Sequence, residues 1–128
     1  MSILVIEVTS DGIIFGGDRN VTTTHADKTT TQEKQTEKVL KWSNDKALIG
    51  FVGNGRIDNK STTEWINEFI NKNLDFSSLK EVADKLCSEV QAQRKIDEGQ
   101  EAKARGMIIH IGGFVISCKR RQSLYCLC

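Results

Sequence analysis

The sequence of 128 residues contains no proline, few aromatic residues and almost no net charge. The absence of proline excludes no fold. The formal charge of +1 gives no electrostatic reason to expect a nucleic acid or an anionic membrane as a partner. No segment approaches the roughly 18 consecutive apolar residues that a membrane-spanning helix requires. The N-terminus also lacks the basic, apolar and small-residue pattern of a secretory signal, so we expect a cytoplasmic protein.

The four cysteines and two histidines do not form a metal-binding pattern. Cys87 lies in a helical apolar stripe, where a free thiol behaves as a small hydrophobic side chain. The other cysteines fall in the last eleven residues, with a spacing typical of no zinc site, and neither His25 nor His110 is near them in sequence. We therefore predict no metal and no other cofactor.

The chain length predicts one domain, and the sequence contains no internal repeat and no low-complexity linker. We assign residues 1–116 to this domain and residues 117–128 to a tail without a recognisable pattern. Short apolar, β-branched segments predict strands. The segments are residues 3–8, 13–15, 38–42 and 47–53. Asp-Gly at positions 11 and 12 predicts a hairpin between the first two strands.

The polar stretch of residues 20–37 has no periodicity and is predicted to be a loop or ribbon. Apolar residues at helical spacing predict a helix over residues 62–73 and a longer one over residues 78–105, with Gly106 at its end. Strands are expected to follow at residues 107–111 and 114–117. Strands followed by helices indicate an α+β fold, in which helices cover a largely antiparallel sheet.

The N-terminus has the chemistry of a nucleophile if the initiator methionine is removed. Ser2 would then carry a hydroxyl and a free α-amine, and the reference pKa of such an amine, about 7.7–8.0, suits a general base near neutral pH. A hydroxyl activated by its own amine is a known nucleophile arrangement. Taken alone, the simpler interpretation is an ordinary processed terminus.

Residues further along the chain are candidates to complete such a site. The hairpin would bring Asp18 near Ser2, and residues 16–17 are glycines that would permit a close backbone approach. Lys38 opens the third strand, and a lysine paired with a carboxylate can lower the pKa of a neighbouring hydroxyl. Three glycines in residues 50–55 offer backbone N–H groups to an oxyanion. A surface turn, a solvated lysine and a glycine turn into a helix explain the same residues equally well.

Two segments resemble motifs of proteasome β-type subunits and of bacterial proteasome-like peptidases, a family of N-terminal-nucleophile hydrolases. Residues 12–20, GIIFGGDRN, resemble the segment that carries an aspartate near the start of the mature subunits. Residues 38–53, KVLKWSNDKALIGFVG, are similar to the block in which a catalytic lysine opens a strand that leads to a G-F-x-G sequence. The resemblance covers roughly residues 2–113 and implies an αββα sandwich of antiparallel sheets and helical layers.

The resemblance also implies roles for individual residues. Ser2 would be the nucleophile, with its own amine as the base. Asp18 would hold Lys38, and Lys38 would tune the Ser2 hydroxyl. The N–H of Gly53 would stabilise the tetrahedral oxyanion.

The resemblance further implies a substrate and an assembly. Val21 and Phe51 would lie near the pocket for the residue that precedes the cut in a peptide or protein substrate. The subunit would work in a ring-shaped homo-oligomer, with an ATPase as a candidate partner.

The sequence departs from the family in three respects. The nucleophile is serine where proteasome subunits use threonine, no propeptide precedes it, and the chain is shorter than the family domain. The last difference predicts a truncated or frame-shifted product that is incomplete at its C-terminus. Two further hypotheses remain open: a non-catalytic structural subunit of the same fold, and an amidase of the same superfamily that acts on small amides.

Overall fold

The computed structural model describes residues 3–9, 11–24, 29–33, 35–42, 47–53, 55–76, 78–98, 106–113 and 122–127. Within these residues the chain has a mixed α+β fold with two helices, and all strand pairs are antiparallel. The elements are β1 (Leu4–Val8), β2 (Ile13–Gly17), β3 (Val21–Thr24), β4 (Thr30–Glu33), β5 (Val39–Trp42), β6 (Ala47–Val52), β7 (Arg56–Ile57), β8 (Lys60–Ser61), α1 (Thr62–Lys72), α2 (Leu79–Glu98), β9 (Ile108–Gly113) and β10 (Gln122–Leu127).

The first two strands form the predicted hairpin, with Leu4 opposite Gly17 and Val8 opposite Ile13. Thr9 closes the turn, because its hydroxyl oxygen accepts the backbone N–H of Gly12 at 3.1 Å and its own N–H donates to the Gly12 carbonyl at 2.9 Å. The turn returns the end of β2 to the start of β1.

A four-stranded sheet in the order β10-β9-β6-β5 forms the centre of the domain. Side chains alternate between its two faces, so that Ile49 and Phe51 of β6 and Ile109 and Ile111 of β9 belong to one buried cluster. Apolar side chains of both helices complete this core. Its members are Leu40, Trp42, Ala47, Ile49, Phe51, Ile57, Ile66, Phe69, Ile70, Leu79, Val82, Ala83, Leu86, Val90, Met107, Ile109 and Ile111.

The β1–β2 hairpin packs against the other face of this sheet, where two glycines leave room for it. A Cβ atom built on Gly50 would lie 2.8 Å from a methyl group of Leu4, and one built on Gly112 would lie 2.8 Å from the Phe15 ring. A Cβ atom at Gly16 would meet nothing within 4 Å, and one at Gly17 would meet only ordinary contacts at 3.5 Å or more, so neither position needs glycine for this packing. The glycines that leave room for the hairpin are Gly50 and Gly112, in the sheet beneath it.

The outer side of the hairpin carries apolar side chains. Val5 and Ile14 are each 60% exposed, and Ile3 is also exposed. Strand alternation places Val5 and Ile14 on the side opposite to Leu4 and Phe15. Glu7 is exposed on the same side, opposite Ile14. The described layers are therefore a helical pair, a central sheet and a hairpin whose outer side is largely apolar.

Both helices begin directly after a capping serine. Ser61 accepts the Glu64 N–H and the Glu64 side chain accepts the Ser61 N–H, which forms a capping box at α1. At α2 the Ser78 hydroxyl accepts the Glu81 N–H at 3.1 Å. The predicted extent of α1 is confirmed to within one residue, whereas residues 99–105, predicted to extend α2, lie outside the described residues.

Three regions contain strands beyond the predicted ones, although a ribbon was one of the two predictions for the polar stretch of residues 20–37. The polar stretch contains a two-stranded ribbon of β3 and β4. Asp58 and Asn59, with φ angles of 53° and 58°, form the turn of the short β7–β8 hairpin. The expectation of an unpatterned tail over residues 117–128 was wrong in part, because residues 122–127 form β10 and pair with β9. The strand predicted over residues 114–117 lies outside the described residues.

None of the helices in the described ranges combines the length and the apolar character that crossing a membrane requires.

Candidate active site

Three of the predicted site residues lie at the ends of strands, as their sequence positions suggest. Asp18 directly follows β2, Lys38 directly precedes β5, and Gly53 directly follows β6. Ser2, the predicted nucleophile, lies outside the described residues. The backbone N–H of Phe51 donates to the Lys38 carbonyl at 3.0 Å, which joins the start of β5 to the end of β6.

Lys38 is buried, although it is charged. Its side chain is 4% exposed, and its Nζ donates to Oδ1 of Asp18 at 2.8 Å and to the backbone carbonyl of Asn20 at 2.6 Å. A buried ammonium group needs such partners, because an unpaired charge is costly to remove from water. The alternative of a solvated lysine is therefore wrong.

Asp18 joins the lysine to the N-terminal strand. Its Oδ1 also accepts the backbone N–H of Ile3 at 3.0 Å, and its own N–H donates to the Ile3 carbonyl at 3.1 Å. One carboxylate oxygen thus receives a hydrogen bond from Lys38 and another from the residue that follows Ser2 in the chain.

These hydrogen bonds determine the ionisation of the carboxylate. The Lys38 ammonium group, followed by the Ile3 N–H, holds the pKa of Asp18 below its ordinary value of 3.8, and partial burial opposes them with a smaller effect. Both donors favour the charged form of the carboxylate. Asp18 is accordingly a carboxylate at neutral pH.

Backbone contacts fix the segments that carry the pair. The Thr36 N–H donates to the Arg19 carbonyl at 2.9 Å, and the Thr63 hydroxyl of α1 donates to the Glu37 carbonyl at 2.8 Å. An exposed ion pair between Arg19 and Glu37, at 3.7 Å, adds little because water screens it. The residue after Asp18 and the residues before Lys38 are thereby held to each other and to the helical layer.

Gly53 has a backbone conformation that favours glycine. Its φ angle is +112°, and a Cβ atom there would overlap the carbonyl oxygen of Gly106 just before β9. A residue with a side chain would therefore strain the backbone at position 53, whose N–H is the predicted oxyanion donor.

The two predicted pocket residues have different positions. Phe51 is 4% exposed and packs in the core beneath the helices. Val21 begins β3 and pairs with Glu33, and its side chain lies outside the described part of the structure. The structure thus brings together Asp18 and Lys38, and it leaves Ser2 and the Val21 side chain undescribed.

Sequence reasoning missed Ile3, Asn20 and Thr63. Ile3 and Asn20 act through backbone atoms, which every residue possesses, so their identities give no signal beyond their nearness to Ser2 and Asp18 in the chain. Thr63 lies 26 residues from Glu37 in sequence. Only the packing of α1 beside β5 brings the two together.

Among the residues that the structure describes, no group of three or more histidine, cysteine, aspartate or glutamate side chains is arranged to hold a metal ion. In comparisons with known proteins, no family model, no curated protein and no solved structure matched the chain.

Proposed function

We propose that this chain is a proteasome-like peptidase subunit that cleaves peptide bonds through an N-terminal serine, Ser2. The observation that carries the proposal is the shared carboxylate oxygen of Asp18, which accepts hydrogen bonds from Lys38 Nζ at 2.8 Å and from the Ile3 N–H at 3.0 Å. Ser2 precedes Ile3 in the chain, so the hydrogen bond from the Ile3 N–H is the described contact that lies nearest in sequence to the proposed nucleophile.

The burial of Lys38 supports a chemical role for it. The Lys38 side chain is 4% exposed and its Nζ is fixed by two oxygen acceptors, so water screens its charge little, and the Asp18 carboxylate offsets that charge only in part. The remaining positive potential lowers the pKa of a nearby hydroxyl group. Lys38 would in this way favour the alkoxide character that Ser2 needs in order to attack a carbonyl carbon.

The proposed reaction has two steps. The Ser2 hydroxyl gives its proton to the α-amine and forms a bond to the carbonyl carbon, while the Gly53 N–H stabilises the oxyanion. The carbon–nitrogen bond then breaks, and the leaving amine takes up the proton. Water, activated by the same α-amine, hydrolyses the acyl-enzyme and releases Ser2.

The apolar outer side of the hairpin supports the finer assignment of the fold. In an αββα sandwich a second helical layer covers the outer face of the second sheet, and here Val5 and Ile14 form an apolar surface at that position. We propose the same sandwich for this protein. A ring-shaped homo-oligomer and an ATPase partner are proposed on the resemblance alone, and a cytoplasmic location is proposed from the sequence.

The test combines N-terminal mass analysis with hydrolysis assays. Intact mass gives the state of Met1, and a panel of fluorogenic peptide amides and small amides gives the activity of the wild type and of Ser2→Ala, Ser2→Thr, Lys38→Ala and Lys41→Ala. Lys41 is the matched control, because it lies on β5, three residues after Lys38, with an exposed side chain.

We expect a mature chain that begins with Ser2, activity in Ser2→Thr, and none in Ser2→Ala. Lys38→Ala should lower kcat by about 100-fold or more, the loss typical of a misplaced catalytic group, and Lys41→Ala should leave it unchanged. Retained Met1, or full activity in Ser2→Ala, would overturn the proposal. A free Ser2 without hydrolysis would favour the non-catalytic subunit, and cleavage of small amides alone would favour the amidase.

A further inference from the structure

We propose that Thr63 is a positioning residue for Lys38. Its hydroxyl donates to the Glu37 carbonyl at 2.8 Å, across 26 residues of sequence. The inference rests on the proposed function, because it assigns Thr63 to the lysine that the proposed reaction uses.

The Glu37 carbonyl belongs to the peptide unit that also contains the backbone nitrogen of Lys38. Because a peptide unit is planar, a hydrogen bond to its oxygen restrains the whole unit. Thr63 therefore holds the peptide plane on the N-terminal side of the Lys38 Cα atom. It does so from the first turn of α1, a helix whose start is fixed by the capping box at Ser61.

The peptide unit on the other side of the Lys38 Cα atom is held as well. The Lys38 carbonyl accepts the Phe51 N–H at 3.0 Å, so the following plane is fixed by β6. With both planes restrained, the φ and ψ angles of Lys38 are restrained and the direction of its Cα–Cβ bond is set. The start of the side chain is thus placed by α1 and β6.

The position of the Lys38 ammonium group is constrained by two hydrogen bonds. Its Nζ must reach both Oδ1 of Asp18, at 2.8 Å, and the Asn20 carbonyl, at 2.6 Å. Hydrogen bonds weaken quickly with distance and angle. A rotation of the Glu37–Lys38 peptide plane would move the ammonium group away from one of these acceptors.

The test compares Thr63→Val, which keeps the branched shape and removes the hydroxyl, with Thr63→Ser, which keeps the hydroxyl. Ser88→Ala is the control, because the Ser88 hydroxyl donates to the Asp84 carbonyl at 2.8 Å within α2 and so loses a bond of the same type. The readouts are the pKa of the Asp18 carboxyl group by NMR, kcat and KM for a peptide amide, and stability to urea.

In Thr63→Val we expect the pKa of Asp18 to rise toward its ordinary value, because its main hydrogen-bond donor is displaced. We also expect kcat to fall by about 3–10-fold, with KM unchanged, as for a small displacement of a catalytic group. Thr63→Ser should restore both quantities, and Ser88→Ala should alter neither.

An unchanged pKa of Asp18 in a folded Thr63→Val variant would overturn the inference. This readout does not depend on hydrolysis, so it tests Thr63 even if the wild type proves inactive and the proposed function fails. Thr63→Ala serves as a second variant, because alanine suits a helix. If Thr63→Val and Thr63→Ala both failed to fold, the inference would also be contradicted, because Thr63 would then stabilise the fold and not specifically position Lys38.

Discussion

Asp18 and Ile3 bind each other through two hydrogen bonds, one from the Ile3 N–H to the Asp18 carboxylate at 3.0 Å and one from the Asp18 N–H to the Ile3 carbonyl at 3.1 Å. The backbone bond continues the β1–β2 ladder by one step. The side-chain bond turns the carboxylate toward the beginning of the chain, where it also meets Lys38. The Asp18 backbone therefore extends the hairpin, and its side chain accepts a hydrogen bond from the buried Lys38.

Asp18→Asn is expected to destabilise the fold by about 2–4 kcal/mol, because it leaves the buried Lys38 ammonium without a negative partner. Urea denaturation at neutral pH measures the change. Asp84→Asn is the matched control, since the Lys80–Asp84 pair is 72% and 63% exposed and its loss should cost less than about 0.5 kcal/mol. Equal effects of the two substitutions would contradict a buried charge at Lys38.

The contribution of Asp18 should depend on pH with a definite sign. Its folded-state pKa lies below 3.8 because Lys38 and the Ile3 N–H favour the carboxylate, so the unfolded chain binds the proton first as the pH falls. The stabilisation is complete well above pH 3.8 and is lost as the pH falls through the folded-state pKa. The stability difference between the wild type and Asp18→Asn should shrink as the pH falls from 3.8 through the folded-state pKa. A difference that stayed constant down to strongly acidic pH would contradict the lowered pKa of Asp18.

Gly53→Ala should be poorly tolerated, because a side chain at a φ of +112° is strained and its Cβ would overlap the Gly106 carbonyl. We expect a loss of about 2 kcal/mol or more, measured by urea denaturation. Gly106→Ala is the control from the other side of the same contact, since a Cβ there meets nothing within 4 Å. If Gly53→Ala lowered the free energy of unfolding no more than Gly106→Ala, the close approach of Gly53 to the Gly106 carbonyl would be contradicted.

Gly112→Ala should loosen the packing of the hairpin on the sheet. Its Cβ would lie 2.8 Å from the Phe15 ring and 3.2 Å from Ile13, and overpacking of this kind typically costs about 1–3 kcal/mol. Gly16→Ala, on the open side of the hairpin, should leave stability unchanged or slightly raised. Thermal unfolding compares the two, and the reverse order of stability would exclude the described hairpin packing.

His110 should lower stability below neutral pH. Burial lowers its pKa below the ordinary 6.5, so the unfolded chain takes up the proton first as the pH falls. The stability that follows from keeping the ring neutral is present above pH 6.5 and is lost as the pH falls through the folded-state pKa. NMR titration of the ring should give a midpoint below 6.5, and His110→Gln should remove this part of the pH dependence of unfolding. A midpoint above 6.5 would contradict the prediction.

Local patterns predicted the elements whose signals are contained in short segments. The Asp-Gly turn predicted the hairpin, the apolar periodicity predicted both helices, and the hairpin topology predicted that Asp18 lies beside the first strand. Asp18 contacts Lys38 because β5 begins beside the end of β2.

Elements that depend on a distant partner could not be predicted in this way. Residues 122–127 form a strand because the backbone of β9 supplies hydrogen bonds to it, and no apolar alternation in the tail indicates such an edge strand. The glycines that the hairpin crowds are those at positions 50 and 112, because this crowding depends on which side chains lie above the sheet. The Thr63 bond depends on how α1 packs, which no pattern around residue 37 reveals.

The contacts around Lys38 have a consequence for the order of events during synthesis. Its acceptors lie about 20 residues earlier in the chain, whereas the groups that fix its backbone, on Phe51 and Thr63, are added to the growing polypeptide later. Contacts that close long loops form after local ones. During synthesis we therefore expect both peptide planes around Lys38 to be held only after α1 has emerged from the ribosome, because Phe51 and Thr63 supply those contacts.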